Sequence, residues 1–339
     1  MNLLVFLSDL CNMTCDYCFL SLNAKPAAVL SEDAGARAVD AHLDRFGSRA
    51  RFTLLGGEPL LHPQLALSLA RRARAAGAKV TLVTNGTKAG PRILGPVLAL
   101  GVEVAVSLDG KAASHDKHRR TLAGAATHAA IMKVLSGADR AALRVNLVVS
   151  RETVGALLTN LEWLRNEGFR RLSFHPDVAR PWSASGLSAL GTAMSGFARY
   201  ARALETAAPG ALSYWHLDSY RAAATGVPEG DDELVLGADG RYYAGDAWLS
   251  RRYGAGLDGA VGDAASGPDW DRRRALLAEV DRGVAAALAG APYYTWPRET
   301  YALAALNGRD PAAAARAFRA ADAVLGDALS ALAKETARA

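Results

Sequence analysis

Cysteine is scarce in this 339-residue chain, and all three copies, Cys11, Cys15 and Cys18, fall in one short stretch. An odd count crowded into one place excludes a disulfide framework, which would leave a thiol over and staple nothing at a distance. A structural zinc site takes four protein ligands. His42 or His62 would have to supply the fourth, and the x3-x2 spacing is unusual for zinc. Long apolar runs are also missing; none approaches the ~20 residues that span a bilayer. Residues 1–8 lack the basic start, apolar middle and small-residue cleavage site of a signal peptide. Clustered thiols without an export signal point to a reducing cytoplasm. No basic block interleaved with aromatics occurs. The net charge of +5 comes from dispersed arginines such as Arg71, Arg72 and Arg74, which read as solvated helix faces rather than a nucleic-acid surface.

What is present is apolar patterning. Half of the residues are hydrophobic, enough for a sizeable core. Short β-rich runs appear at Leu3–Leu7, Phe52–Leu55, Val80–Val83, Val102–Ser107, Leu143–Val149 and Arg171–Phe174. Helical patterns lie between them: Ser31–Phe46 with Ser31 as N-cap, Pro63–Ala76, Pro91–Leu100, Ala123–Ser136 and Glu152–Asn166. Six strands alternating with helices predict an α/β fold with a parallel sheet, a partial barrel or an open wound sheet. Reactive groups then belong at the carboxyl ends of the strands.

Candidate residues fall in or just after the strands. The cysteine loop follows the first, Gly56-Gly57-Glu58-Pro59 the second and Thr84-Asn85-Gly86-Thr87 the third. Ser107-Leu108-Asp109-Gly110 closes the fourth, Arg144 and Asn146 lie in the fifth, and His175-Pro176-Asp177 ends the sixth. Any one of these is ordinary turn chemistry. Three thiolates on a loop can hold three corners of a cubane iron–sulfur cluster, and with no fourth cysteine one iron keeps an open position.

The stretches CNMTCDYC, LLGGEPLLHP, VTNGT, SLDG-KAASHDKHR and LSFHPDV, in that order, resemble the radical S-adenosylmethionine (SAM) superfamily. Within it they are similar to the anaerobic sulfatase-maturating and peptide-modifying (SPASM-type) enzymes. The resemblance spans most of residues 3–178 and implies a partial (β/α)6 TIM-like barrel. It implies one [4Fe-4S] cluster on Cys11, Cys15 and Cys18, whose open iron takes SAM. It also implies SAM contacts from Tyr17 near the adenine, from Gly56, Gly57, Glu58 and Pro59 at the amino end, and from Ser107 and Asp109 at the carboxylate and ribose. Asn85 and Arg144 are further cofactor candidates. The charged segment 114–120 reads as a solvated loop or as a stretch open to substrate, with His118 and Arg119 as candidates alongside His175 and Asp177.

Beyond residue 178 the alternation stops, so the division expected is a barrel over 1–178 and a substrate-covering α+β region over 179–339. Helices are predicted at Ser188–Glu205, Asp271–Ala289 and from Pro311 to about Lys334, with 250–269 a glycine-rich loop. Glu233–Leu236, Ala238-Asp239-Gly240 and Arg241–Tyr243 predict a β-hairpin. This hairpin is similar to one in the family's C-terminal cluster domain, but Gly245 stands where the family has cysteine. All three thiols are already used, so a second cluster is excluded by count. Asp246 matches the family's aspartate that acts as base, which makes it the catalytic candidate. Trp215 and Trp248 are candidate substrate contacts.

The chemistry implied is reductive cleavage of SAM to a 5′-deoxyadenosyl radical, with an external one-electron donor such as flavodoxin or ferredoxin. The resemblance favours a peptide substrate, as in maturation of ribosomally made natural products, with crosslinking, elimination or other C–H functionalisation. No leader-binding segment precedes the barrel, so a separate precursor-recognition protein is a possible partner. A small-molecule substrate (a sugar, nucleoside or amino acid) is the alternative. A non-catalytic cluster- or zinc-holding protein is the alternative of another class.

Overall fold

The computed structural model describes residues 1–18, 20, 27–177, 180, 182–208, 213–214, 233–249, 259–289, 310–319 and scattered positions between 302 and 327. Strands β1 (Asn2–Phe6), β2 (Met13–Cys15), β3 (Arg51–Leu55), β4 (Lys79–Thr84), β5 (Glu103–Ser107), β6 (Arg119–Thr121), β7 (Arg144–Val149) and β8 (Arg171–Pro176) alternate with helices over the first half. The helices are α1 (Glu32–Phe46), α2 (Pro63–Ala75), α3 (Pro91–Ala99), α4 (Ala112–His118), α5 (His128–Val134) and α6 (Leu157–Asn166). The chain continues through α7 (Ala184–Ala207), β9 (Ser213–Tyr214), β10 (Glu233–Leu236), β11 (Arg241–Tyr243), β12 (Ala260–Asp263), β13 (Gly267–Pro268) and α8 (Trp270–Ala287).

The main sheet runs β13-β12-β11-β10-β1-β3-β4-β5-β7-β8-β9. From β10 through β9 every pairing is parallel; β10 to β13 are antiparallel. Alternation decides which face meets the helices. Leu3, Val5, Leu54, Val80, Leu82, Val104, Val106, Val145, Leu147, Leu172 and Phe174 are buried in one core with residues of α1, α2, α3, α5, α6 and α7. A one-residue slip would turn such a set to the other face, at about 1.5–3 kcal/mol for each large side chain. The helices therefore cover one face, and the sheet curls as a partial barrel with the other face inside. On that concave face Leu4, Phe6 and Val235 form a smaller apolar cluster, joined by Leu55, Tyr243 and Leu249.

Local signals hold where they are strong. Ser31 caps α1 by accepting from the Ala34 amide, and α2 and α3 begin on Pro63 and Pro91. The hairpin forms as expected, with Gly240 at φ +79°. Other segments differ. The charged stretch after β5 is α4 followed by β6. Helix α5 is shorter than its pattern and runs into a 3-10 turn at Leu135–Gly137. The glycine-rich 250–269 contains β12 and β13. Here a Cβ on Gly262, at φ +116°, would sit 2.1 Å from the Gly267 carbonyl; the glycines permit close strand approach rather than a loop. The expected strand residues Trp215 and His216, the turn 219–224 and the aromatic group around Trp296 lie outside the described residues. Among the described residues no helix is long and apolar enough to cross a membrane.

Candidate functional site

The three cysteines sit beyond the carboxyl end of β1, and two loops grip them. Met13–Cys15 is a strand rather than loop: it pairs antiparallel with β6, placing Cys15 opposite Arg119. The Gly57 and Glu58 amides donate to the Ser8 and Leu10 carbonyls at 2.7 and 2.8 Å. A Cβ on Gly57 would lie 2.0 Å from the Leu10 carbonyl oxygen, and one on Gly56 (φ +138°) 2.7 Å from that of Ser8. These glycines thus allow backbone to approach the cysteine loop itself. Pro59 follows at the first position of a buried 3-10 turn.

Glu58 is fully buried behind this contact. Its carboxylate accepts from the Leu60 amide at 2.9 Å, Thr84 Oγ1 at 2.7 Å and the Asn85 amide at 2.7 Å. Burial raises its pKa, and those bonds oppose the rise. Glu58 is a brace between the loops after β3 and β4, not a side chain presented to a ligand. Asn85 extends the brace: its Nδ2 donates to Asn12 Oδ1 at 2.9 Å and reaches Cys11 Sγ at 3.9 Å, while Asn12 Nδ2 donates to Thr87 Oγ1 at 2.8 Å. Asn12 was missed in the sequence because an asparagine between cysteines is unremarkable.

On the other side of the loop lies a buried charge cluster. Asp109 accepts Arg119 Nε and Nη2 at 2.9 and 3.1 Å, the Val148 amide at 2.9 Å and the Tyr17 hydroxyl at 2.5 Å. Burial opposes its charged form, but Arg119 outweighs burial and holds the carboxyl below its usual range. The guanidinium stands 5.3 Å from the Tyr17 ring centroid. Tyr17 is pushed well up, chiefly by burial. Arg119, expected to face substrate, is instead the counter-ion of Asp109. His118, also expected there, is buried with Nδ1 2.9 Å from Asp16 Oδ1 and Nε2 2.8 Å from Ser150 Oγ. The sequence leaves both on a solvated or substrate-facing stretch because their partners cannot be seen from spacing.

The remaining candidates disperse. Ser107 and His175 lie on the concave face by register with Asn146 and Val148. Burial, with Arg144 and Arg119, pushes His175 down to about 4, so it is neutral. Arg144 opens β7 at its amino end, paired 2.8 Å from Glu103, which also holds Arg171 at 2.7 Å. Its Cα therefore starts at the end of the strands opposite the cysteine loop. Asp177 is buried and ion-paired to Arg180 at 2.7 Å. Trp248 packs between Gly245 and Gly259, where a Cβ would meet its ring at 3.2 and 2.0 Å. Asp246 begins a 3-10 turn leading to Leu249 on the concave face. Burial, aided by Glu233, pushes it up to about 6. Trp215 falls outside the described residues.

The donor set fits an iron–sulfur cluster. Burial pushes Cys11 up to about 12 and Cys15 up to about 11, and the neighbouring thiols add to both rises. Buried neutral thiols need a strong local cation to become ligands, which is what iron supplies. The zinc alternative loses support from His42, which sits between α1 and β3 with Nε2 3.1 Å from the Met1 carbonyl. Among the described residues no three His, Cys, Asp or Glu side chains are grouped to hold a single metal ion.

Residues 5–164 match the radical SAM superfamily and form a radical SAM domain. Domains of this family use a [4Fe-4S] cluster and SAM, the cofactor pair the cysteine loop calls for. The chain is 33% identical over 168 residues to the AdoMet-dependent heme synthase of Methanosarcina barkeri, covering 47% of this chain and 45% of that protein. It is 31% identical over 179 residues to the GTP 3′,8-cyclase of Rhodococcus opacus, covering 49% and 48%. The matches thus span about half the length of these curated relatives. Its fold is similar to that of anSMEcpe bound to AdoMet and a peptide, with a TM-score of 0.72, 14% identity and 99% of both chains covered. It is also similar to Streptococcus suis SuiB bound to its precursor peptide SuiA, with a TM-score of 0.52, 13% identity and 75% and 61% covered.

Proposed function

We propose that this chain is a radical SAM enzyme that removes a hydrogen from a peptide side chain or backbone, as in maturation of a ribosomally made peptide. The observation that carries the reading is the grip of the Gly56-Gly57 turn and of β6 on a loop bearing three free thiols, Cys11 buried and Cys15 and Cys18 half-buried. When bound, the cluster and SAM supply one-electron cleavage to a 5′-deoxyadenosyl radical. Cys11, Cys15 and Cys18 hold the cluster; the backbone after β3, with Asn85, Ser107 and Tyr17 around it, holds SAM. Glu58, Asp109 and Arg119 keep these loops in place. The concave face, apolar at Leu4, Phe6 and Val235 and polar at Ser107, Asn146 and His175, receives the substrate and keeps water from it. Asp246 is the acid/base group, its pKa of about 6 placed for proton transfer near neutral pH. The expected division of the chain goes with this: a barrel over 1–178, and a covering region over 179–339 whose hairpin carries no second cluster. A cytoplasmic location, an external electron donor and a separate precursor-recognition protein complete the proposal.

End-to-end likeness to a peptide-bound radical SAM structure supports the peptide reading. Likeness to a heme synthase and a GTP cyclase supports a small-molecule reading as the second. Neighbouring reading frames, then co-expression and mass spectrometry, separate the two. A short adjacent peptide that changes mass only with the intact cysteine triad supports the first. An unchanged peptide, with SAM cleavage stimulated by a nucleoside or tetrapyrrole instead, replaces it with the second.

A further inference from the structure

Asp109 and Arg119 are joined twice, once by their side chains and once through His115. The Asp109 amide lies 3.3 Å from His115 Nδ1. An amide N–H can only donate, so Nδ1 carries no proton. The ring is fully buried, with its pKa pushed down to about 4, foremost by burial, so it is neutral and its single proton sits on Nε2. Nε2 lies 3.0 Å from Thr127 Oγ1, which accepts, and the Thr127 hydroxyl gives its own proton to the Arg119 carbonyl at 2.8 Å. The Arg119 guanidinium then returns to the Asp109 carboxylate. The circuit closes with every donor and acceptor assigned. Asp116 Oδ1 holds the Thr127 and His128 amides at 2.8 and 2.9 Å, fixing the segment that carries Thr127.

We infer that His115 is a positioning residue: as the Nε2–H tautomer it locks the backbone of Asp109 to that of Arg119. Through the pairing of Arg119 with Cys15 it sets the cysteine loop against the barrel end. The inference rests on the reading of that loop as the cluster and SAM site. His115 touches neither cysteine nor the concave face; its effect passes through Asp109 and Arg119.

Two measurements test it. Long-range proton–nitrogen NMR on the full chain labelled with nitrogen-15 histidine, without cofactor, reads the tautomer. The expected result is an unprotonated Nδ1 and a protonated Nε2 at His115, unchanged from about pH 5 to 8. A protonated Nδ1 overturns the inference even if the protein cleaves SAM. In the reconstituted protein, Thr127→Val removes both functions of the hydroxyl while keeping its shape, and Thr127→Ser restores them. Thr127→Val is expected to weaken SAM binding about tenfold, the size of one buried donor left unpaired. It should also alter the SAM-dependent EPR signal of the reduced cluster, with Thr127→Ser near wild type. A Val variant indistinguishable from wild type overturns the positioning role. A protein that never cleaves SAM defeats the enzyme reading and leaves the tautomer result to be judged separately.

Discussion

Arg119 holds Asp109 through two hydrogen bonds, 2.9 and 3.1 Å, and its own backbone is paired with Cys15. A buried ion pair thus stands directly behind the cysteine loop, with the Tyr17 hydroxyl on the same carboxylate. Removing one member leaves a buried charge without its partner, which costs about 3–5 kcal/mol. Asp109→Asn and Arg119→Met should each lower the unfolding free energy of the full chain by that much, read from urea titration. The double variant should cost less than the sum. Additive losses would show that the two side chains act separately.

The glycine turn makes a sharper prediction. A methyl at residue 57 has no room, since it would meet the Leu10 carbonyl at 2.0 Å and that atom is backbone. Gly57→Ala should therefore displace the cysteine loop and lower iron bound per chain after reconstitution, with the circular dichroism spectrum nearly unchanged. Full iron loading in this variant would mean that the turn does not support the loop.

The barrel was legible because its strands alternate and its helices carry caps: Ser31 and Pro63 mark starts that the structure reproduces. The cysteine loop was legible from spacing alone. The segment 114–120 was not. His115, His118 and Arg119 fall on a stretch that reads as solvated or open to substrate, yet all three are buried, because Asp109, Asp16 and Thr127 satisfy them. Asp16 lies 102 residues from His118, a partnership no local pattern contains. Arg144 is legible only in part. Its strand and face are legible in the sequence, but its ion pair with Glu103 at the strand's amino end is not, although its charge still reaches His175 on the concave face.

Asp246 should impose a pH dependence. As a base it works when deprotonated, so product formation should rise through about pH 6, while SAM cleavage without substrate should not follow that rise. Asp246→Asn should slow product formation and abolish the rise. Equal loss of both activities would instead assign Asp246 a structural role.

Acid should destabilise the fold. His42, His115 and His175 are each pushed down to about 4, chiefly by burial, so between about pH 6.5 and 4 the unfolded chain binds more protons than the folded one. Their contribution is fully present above pH 6.5 and is lost as pH falls. Asp246, raised to about 6, has the opposite sign: its contribution is present at low pH and lost as pH rises through that value. Glu58, also raised by burial, acts in the same sense as Asp246; three histidines outweigh these two carboxyls, so the urea midpoint of the cofactor-free chain should fall from pH 7 to about pH 5. A midpoint that is flat or rises on acidification would contradict the neutral state of these rings.

The most direct test is anaerobic reconstitution of the full chain with iron and sulfide, followed by dithionite and SAM. The account predicts about four irons per chain, formation of 5′-deoxyadenosine, and loss of that product in Cys15→Ala. An intact cluster that yields no 5′-deoxyadenosine, or a Cys15→Ala variant that still cleaves SAM, would contradict it.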